Sequence, residues 1–118
     1  MMMRWMCRAK IHRATVTECC LEYEGSLELD ELLITAAGLL PNEMIQVLNL
    51  SNGRRFETYV IKAKRGSGKV SFNGAAARMG EPGDRVIILS TAWLPEEEAR
   101  RLKPIIVRVD SRNRIIKG

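Results

Sequence analysis

The sequence predicts a mainly β fold: a small barrel of short strands carrying two short helices. Three observations predict it. Strand-forming runs recur along the chain, from "RWMCRAKIHRATVTE" (4–18) to "DRVIILSTA" (84–92). Turn residues such as Asn52-Gly53 and Pro82-Gly83-Asp84 punctuate them at short intervals. Only two segments, 30–37 and 95–102, carry helix signals, and both are brief. Short strands with such punctuation favour closure over an open sheet.

A chain of 118 residues builds one compact domain. Its hydrophobic content is 46% but only 5% is aromatic, so the expected core is aliphatic. No apolar run approaches the ~18 residues of a membrane span. The start, "MMMRWMCRAK", lacks an apolar stretch of signal-peptide length. The expectation is a soluble cytoplasmic protein with no membrane partner. Cys7, Cys19 and Cys20 are odd in number and form no C-x-x-C, so reduced thiols are expected rather than disulfides or zinc ligands. The net charge of +5 permits nucleic-acid binding, but the basic residues are dispersed along the chain. The few aromatics, including Trp5, Trp93, Phe56 and Phe72, offer no stacking platform for single strands. A small anionic substrate profits from the same positive field. No nucleic-acid partner is expected.

Each element has its own reason. Residues 4–18 lack Gly and Pro and read as one long strand. In "DELLITAA" (30–37), Asp30 caps a short helix, Gly38 takes the left-handed position beyond it and Pro41 blocks continuation. In 44–64, two β-rich runs flank Asn52-Gly53 and predict a hairpin. "RGSGK" (65–69) reads as a flexible hairpin loop, since it lacks the full phosphate-loop pattern. A short strand follows at 69–72, then a small-residue turn at 73–77, then a strong strand at 84–92. In "PEEEARRL" (95–102), Pro95 suits the first helical position. Glu96, Glu97 and Glu98 face the positive end of the helix dipole, and Arg100 and Arg101 the negative end. "PIIVRVD" (104–110) reads as the last strand.

Common catalytic plans find little support. His12 is the single histidine, there is no G-x-S-x-G elbow, and no ligand spacing suggests a metal. In a strand, Lys10 and His12 share one face and Ile11 takes the other. "RRFETY", "FNGAAA" and "YEGS" remain. Arg55 offers a planar fork of donors for a carboxylate. Thr58 and Tyr59 offer hydroxyls, and Asn73 an amide. Gly74, Ala75 and Ala76 offer backbone N–H groups that nothing bulky shields. Each alone reads equally well as surface arginine, strand residue or tight turn.

Together, and in this order, "KIHRATVT", "YEGS", "NGRRFETYVI", "RGSG…NGAAA" and "GDRVII" resemble the bacterial aspartate 1-decarboxylase family, over roughly residues 4 to 103. The resemblance implies a double-psi β-barrel and a homotetramer with active sites between subunits. It implies conversion of L-aspartate to β-alanine for pantothenate and coenzyme A. It also implies an inactive precursor that cuts itself at Gly25–Ser26, into 1–25 and 26–118, leaving a covalent pyruvoyl group at Ser26. That ketone serves as electron sink in place of pyridoxal phosphate, and no metal is implied. A serine hydroxyl attacking its own preceding carbonyl needs a peptide held out of its relaxed geometry. Glycine at 25 is expected to supply the backbone angles. Thr58 is the implied oxyanion donor, and Asn73 supports the pyruvoyl end. Arg55 and Lys10 are implied to hold substrate carboxylates, and Tyr59 to return the proton. Gly74, Ala75 and Ala76 line the substrate pocket, with His12 and Tyr23 shaping the site. Strict alternation places Arg55, Glu57 and Tyr59 on one strand face and Thr58 on the other. A bulge, a strong twist or a neighbouring subunit is therefore required. Two readings compete with this one: a small basic barrel that binds a partner without catalysis, and a family member that never cleaves.

Overall fold

A computed structural model describes residues 1–117. The chain runs β1 (Met3–Thr15), β2 (Glu18–Cys20), β3 (Ser26–Asp30), α1 (Glu31–Ala37), β4 (Met44–Asn49), β5 (Arg55–Ala63) and β6 (Val70–Asn73). A 3₁₀ segment (Gly74–Met79) follows, then β7 (Arg85–Pro95), α2 (Glu96–Arg101), β8 (Ile105–Val109) and β9 (Ile115–Ile116). Among the described residues the strands form one mixed sheet, ordered β2-β6-β3-β5-β4-β7-β1-β8-β9. The segment after β1 draws distant parts of that sheet together. Val16 N donates to Asp84 O and Thr17 N to Val70 O, each at 2.8 Å. The mainly β architecture with short helices is the one expected. Among the described residues, no helix is long and apolar enough to cross a membrane.

The core is aliphatic, as the low aromatic content requires. Leu27, Leu29, Leu33, Val47, Val60 and Ile88 are buried in it. Phe72 is the large exception, packed edge-on to Phe56 with ring centroids 5.1 Å apart. Asp30 caps α1 by accepting from Leu32 N at 2.9 Å, and Gly38 ends the helix in the left-handed conformation. Cys7, Cys19 and Cys20 are free thiols.

Several local expectations need correction. The long strand over 4–18 stops at Thr15. Its register shifts past Arg8 and again past Arg13, where φ is 67°, so two bulges bend it before β2 begins at Glu18. The β4–β5 hairpin forms, but its turn is wider than two residues. Leu48 pairs with Arg55, Gly53 N donates to Asn49 O, and only Gly53 of the Asn-Gly pair takes positive φ. Residues 65–69 do not close a hairpin, because β3 lies between β5 and β6. That loop is also tied down: the carboxylate of Asp30 accepts from Gly66 N and Gly68 N at 2.9 and 2.8 Å. The small-residue turn at 73–77 winds on as a 3₁₀ helix to Met79, since its alanines carry no β-branch to oppose it. Pro95 ends β7 in an extended conformation and caps α2 instead of opening its first turn.

Candidate active site

Two groups of polar residues emerge, meeting along β5, where Phe56 and Glu57 line the pockets of both. The first surrounds the Gly25–Ser26 peptide. Ser26 opens β3 and pairs with Asn73 of β6, so the bond preceding it lies at the strand's entrance. Ser26 is fully buried and Asn73 is 1% exposed. The Ser26 hydroxyl donates to Glu24 O at 3.4 Å, which leaves its oxygen lone pairs for attack.

The close fit here depends on Gly74 rather than Gly25. Gly74 has φ +64°, and a Cβ on it would stand 2.5 Å from Gly25 Cα and 2.6 Å from Gly25 N. Gly25 itself has no positive φ. A Cβ on Gly25 would meet ordinary contacts, 3.8 Å from Asn73 O and 3.9 Å from Ala75 N. The left-handed residue of this pair is Gly74, across from Gly25. A side chain at 74 would push the Gly25–Ser26 peptide out of place.

Beside that peptide lies a cleft of about 300 Å³, whose lining includes Gly25, Phe56, Thr58, Ala75, Ala76 and Met79. Sequence reasoning missed Met79, since only the winding of the 3₁₀ segment returns it toward Gly25. Asn73 is held at both ends of its amide. Ser71 Oγ donates to Oδ1 at 2.7 Å, and Nδ2 donates to Glu28 Oε1 at 3.3 Å. Lys69 Nζ sits 3.2 Å from the same Glu28 oxygen and 3.5 Å from Glu18. Burial acts to lower the Lys69 pKa, but these two carboxylates outweigh it and the pKa is raised. Glu28, Ser71 and Lys69 were also missed, because their grouping depends on the β3–β6 register.

The second group occupies the outward face. Register places Arg55 beside Leu48, Leu48 beside Ile87 and Ile87 beside His12. A neighbouring row runs Glu57, Gln46, Leu89, Lys10. Tyr59 pairs with Met44 one step further along. Three strand spacings, ~14 Å of sheet, separate the Arg55 and Tyr59 backbone from that of Lys10 and His12. Lys10, Arg55, Tyr59 and His12 do not line the cleft at Gly25. Arg55 lines a groove with Trp5, Gln46, Leu48, Phe56 and Glu57, and the last two also line the cleft at Gly25. The β4–β5 register is unbroken from Arg55 to Tyr59, so no bulge carries Tyr59 and Thr58 to one face. Of the ways around strict alternation, the bulge is excluded. Tyr23 is 61% exposed, with its carbonyl near Gly74 and its ring outside the lining of the cleft.

His12 is partly buried and its Nδ1 has no hydrogen-bond partner among the described residues. Desolvation lowers its pKa below the usual imidazole value, and Lys10, Arg108, Arg13 and Arg85 lower it further. Burial and the cationic neighbourhood thus both favour the neutral imidazole.

The same outward face carries exposed apolar side chains. Trp5 and Trp93 stack with centroids 6.1 Å apart, and Met44 and Ile106 lie along it. A face that joins apolar area to substrate-sized polar groups is suited to covering by another protein surface.

The family model described as Aspartate decarboxylase matches residues 2–116. The chain is 58% identical over 111 residues to the aspartate 1-decarboxylase of Pelotomaculum thermopropionicum, covering 94% of this chain and 84% of that one. It is 54% identical to that of Carboxydothermus hydrogenoformans, over 95% of this chain and 88% of the relative. For that of Dehalococcoides mccartyi the identity is 53%, over 95% and 90%. A match spanning nearly the whole chain, and containing both the Gly25–Ser26 cleft and the outward polar face, places it plainly: the chain belongs to the aspartate decarboxylase family.

Proposed function

We propose that this decarboxylase converts L-aspartate to β-alanine and CO₂, using a pyruvoyl group that it makes from Ser26. The observation that carries the reading is the packing of the Gly25–Ser26 peptide against Gly74, in a chain of the aspartate decarboxylase family. The absent side chain at 74 forms a cradle for that peptide, and so for the group that replaces it.

Self-cleavage begins when Ser26 Oγ attacks the Gly25 carbonyl carbon and the C–N bond breaks, turning the amide into an ester. Thr58, across the cleft, is the donor for the developing oxyanion. Loss of the Ser26 α-proton expels the Gly25 carboxylate and leaves a dehydroalanine. One water enters and one ammonia departs, giving chains 1–25 and 26–118 with a ketone at the new amino end. When present, that ketone is the electron sink for decarboxylation.

The remaining chemistry belongs to ordinary side chains. Arg55 and Lys10 bind the carboxylates of the dianionic substrate, in charge-assisted hydrogen bonds. Tyr59 delivers the proton that takes the place of the lost carboxylate. Ala75 and Ala76 bound the pocket without filling it. Lys10, two residues before His12 on the same strand face, is the charge of that row that meets substrate.

Arg55, Tyr59 and Lys10 are not among the residues that line the cleft at Gly25, which supports a complete site that joins the cleft of one copy to the outward face of another. The exposed apolar residues of that face support a homotetramer. The assembly fits a cytoplasmic role in supplying β-alanine to pantothenate and coenzyme A synthesis.

The test is the intact mass of purified protein with a decarboxylation assay. Wild type is expected as two chains, the larger lacking its amino group. Ser26→Ala is expected whole and inactive. Wild type that stays uncut yet consumes aspartate would overturn the pyruvoyl reading.

A further inference from the structure

We propose that Glu28, clamped by Lys69, is a positioning residue for self-cleavage: it fixes the Asn73 carboxamide beside the Gly25–Ser26 bond. The inference rests on the self-cleavage proposed above.

Three observations converge on it. Asn73 is the backbone partner of Ser26, so its side chain stands next to the reacting serine along the β3–β6 ladder. Its amide is engaged at both ends, by Ser71 Oγ at 2.7 Å and Glu28 Oε1 at 3.3 Å. Glu28 is in turn held by Lys69 at 3.2 Å, and Lys69 by Glu18 at 3.5 Å. A chain of contacts thus runs from the exposed edge of the sheet to the buried amide.

The chemistry gives Glu28 the deciding place. An ionised carboxylate only accepts hydrogen bonds, whereas the Ser71 hydroxyl can donate or accept. Ser71 alone would tolerate either orientation of the Asn73 amide. With Glu28 on one side, only the orientation that turns Nδ2 to the carboxylate is satisfied. One N–H of Nδ2 is spent on Glu28 and the other remains free to donate. An amide able to flip would present an oxygen there instead, and would repel an oxyanion. Lys69 holds Glu28 in place through the 3.2 Å contact to the same oxygen that accepts from Asn73, and that carboxylate helps raise the Lys69 pKa. The core makes no demand for an acid at 28. Glu28 lies between Leu27 and Leu29, which fill the core on the opposite side of β3.

The experiment follows cleavage of freshly made precursor by intact mass over time, beside melting temperature. Glu28→Ala is expected to cleave about tenfold to a hundredfold more slowly, the scale of losing orientation at a reacting group. Glu28→Gln, whose carbonyl Lys69 can hold toward Asn73 as it holds Glu28 Oε1, is expected to recover much of the rate. Lys69→Met, at a partly exposed position, is expected to slow cleavage by a smaller factor. Once fully cleaved, each variant should show wild-type KM for aspartate, since Glu28 does not touch substrate. Cleavage of both Glu28→Ala and Lys69→Met at the wild-type rate would overturn the inference. So would slowing by Glu28→Ala in step with a fall in melting temperature, unrelieved by Gln. If wild type itself never cleaves, the underlying reading fails instead, and Ser26→Ala then matches wild type in mass apart from one oxygen.

Discussion

The cleft at Gly25 and the outward face of the sheet are built on opposite terms. The cleft is tight: Ser26 is fully buried, and Gly74 meets Gly25 so closely that no side chain fits between them. Its polar groups come from one chain and are held by that chain's own strand pairing. The outward face is open. Arg55 is exposed, Lys10 and Tyr59 are half-buried, and Trp5 and Trp93 stand in solvent. The difference teaches which task each face can perform. In the proposed mechanism, chain cleavage needs atoms preorganised before any substrate arrives, a task that suits a buried site within one copy. Substrate capture in that mechanism needs charges that can be reached and then covered, a task that suits an exposed face closed over by a second copy.

The largest expected effect breaks the tight side. Gly74→Ala adds a Cβ within 2.5 Å of Gly25 Cα and puts an L-residue at φ +64°. We expect loss of cleavage, and destabilisation of about 2–5 kcal/mol from overpacking and the left-handed penalty together. Intact mass and denaturant unfolding check both. Normal cleavage would mean that the peptide does not need this contact.

Next in size is a change confined to the open side. Tyr59→Phe is expected to cleave normally and lose about a hundredfold or more in kcat, the usual weight of a general acid. Mixing sharpens the comparison. Ser26→Ala copies keep Tyr59, and Tyr59→Phe copies keep the cleaved serine. Refolded together, they should regain activity that neither has alone. Persistent inactivity in confirmed mixed oligomers would place the whole site within one copy.

Arg55→Ala should act on binding. Loss of a charge-assisted hydrogen bond is worth about 1.5–3 kcal/mol, so KM for aspartate should rise by about tenfold to a hundredfold with cleavage untouched. A changed cleavage rate with constant KM would move Arg55 to the other region.

The smallest effect concerns pH. The His12 pKa is lowered by burial and then by Lys10, Arg108, Arg13 and Arg85. The unfolded chain therefore takes up the proton more readily. Stability should decline as pH falls below about 6.5, the ordinary histidine value. His12→Gln should flatten that decline slightly, as read from melting curves taken on either side of that value. An unchanged slope would show that the shift has no weight in the folded state.

Much of the fold was legible because strand alternation, Asp30, Gly38 and Gly53 act locally. The misreadings share a cause. That residues 65–69 close no hairpin follows from β3 entering between β5 and β6, a long-range choice. The bulges at Arg8 and Arg13 answer to the partners on β7, which the sequence of β1 does not contain. "YEGS" and "NGAAA" are brought together in the structure, as Gly74 packs on Gly25. The crowding at Gly74 was not legible in either, because it exists only once Gly25 is laid against it.

Sequence alone determined the aliphatic core, the caps of α1, the kinship and the residue types available to the candidate site, since each depends on neighbours in the chain or on composition. Tertiary structure decided which glycine must lack a side chain, which face each polar group occupies, and that Glu28 and Lys69 stand behind Asn73. Those depend on strand register, and register is set by how the whole sheet buries its apolar face.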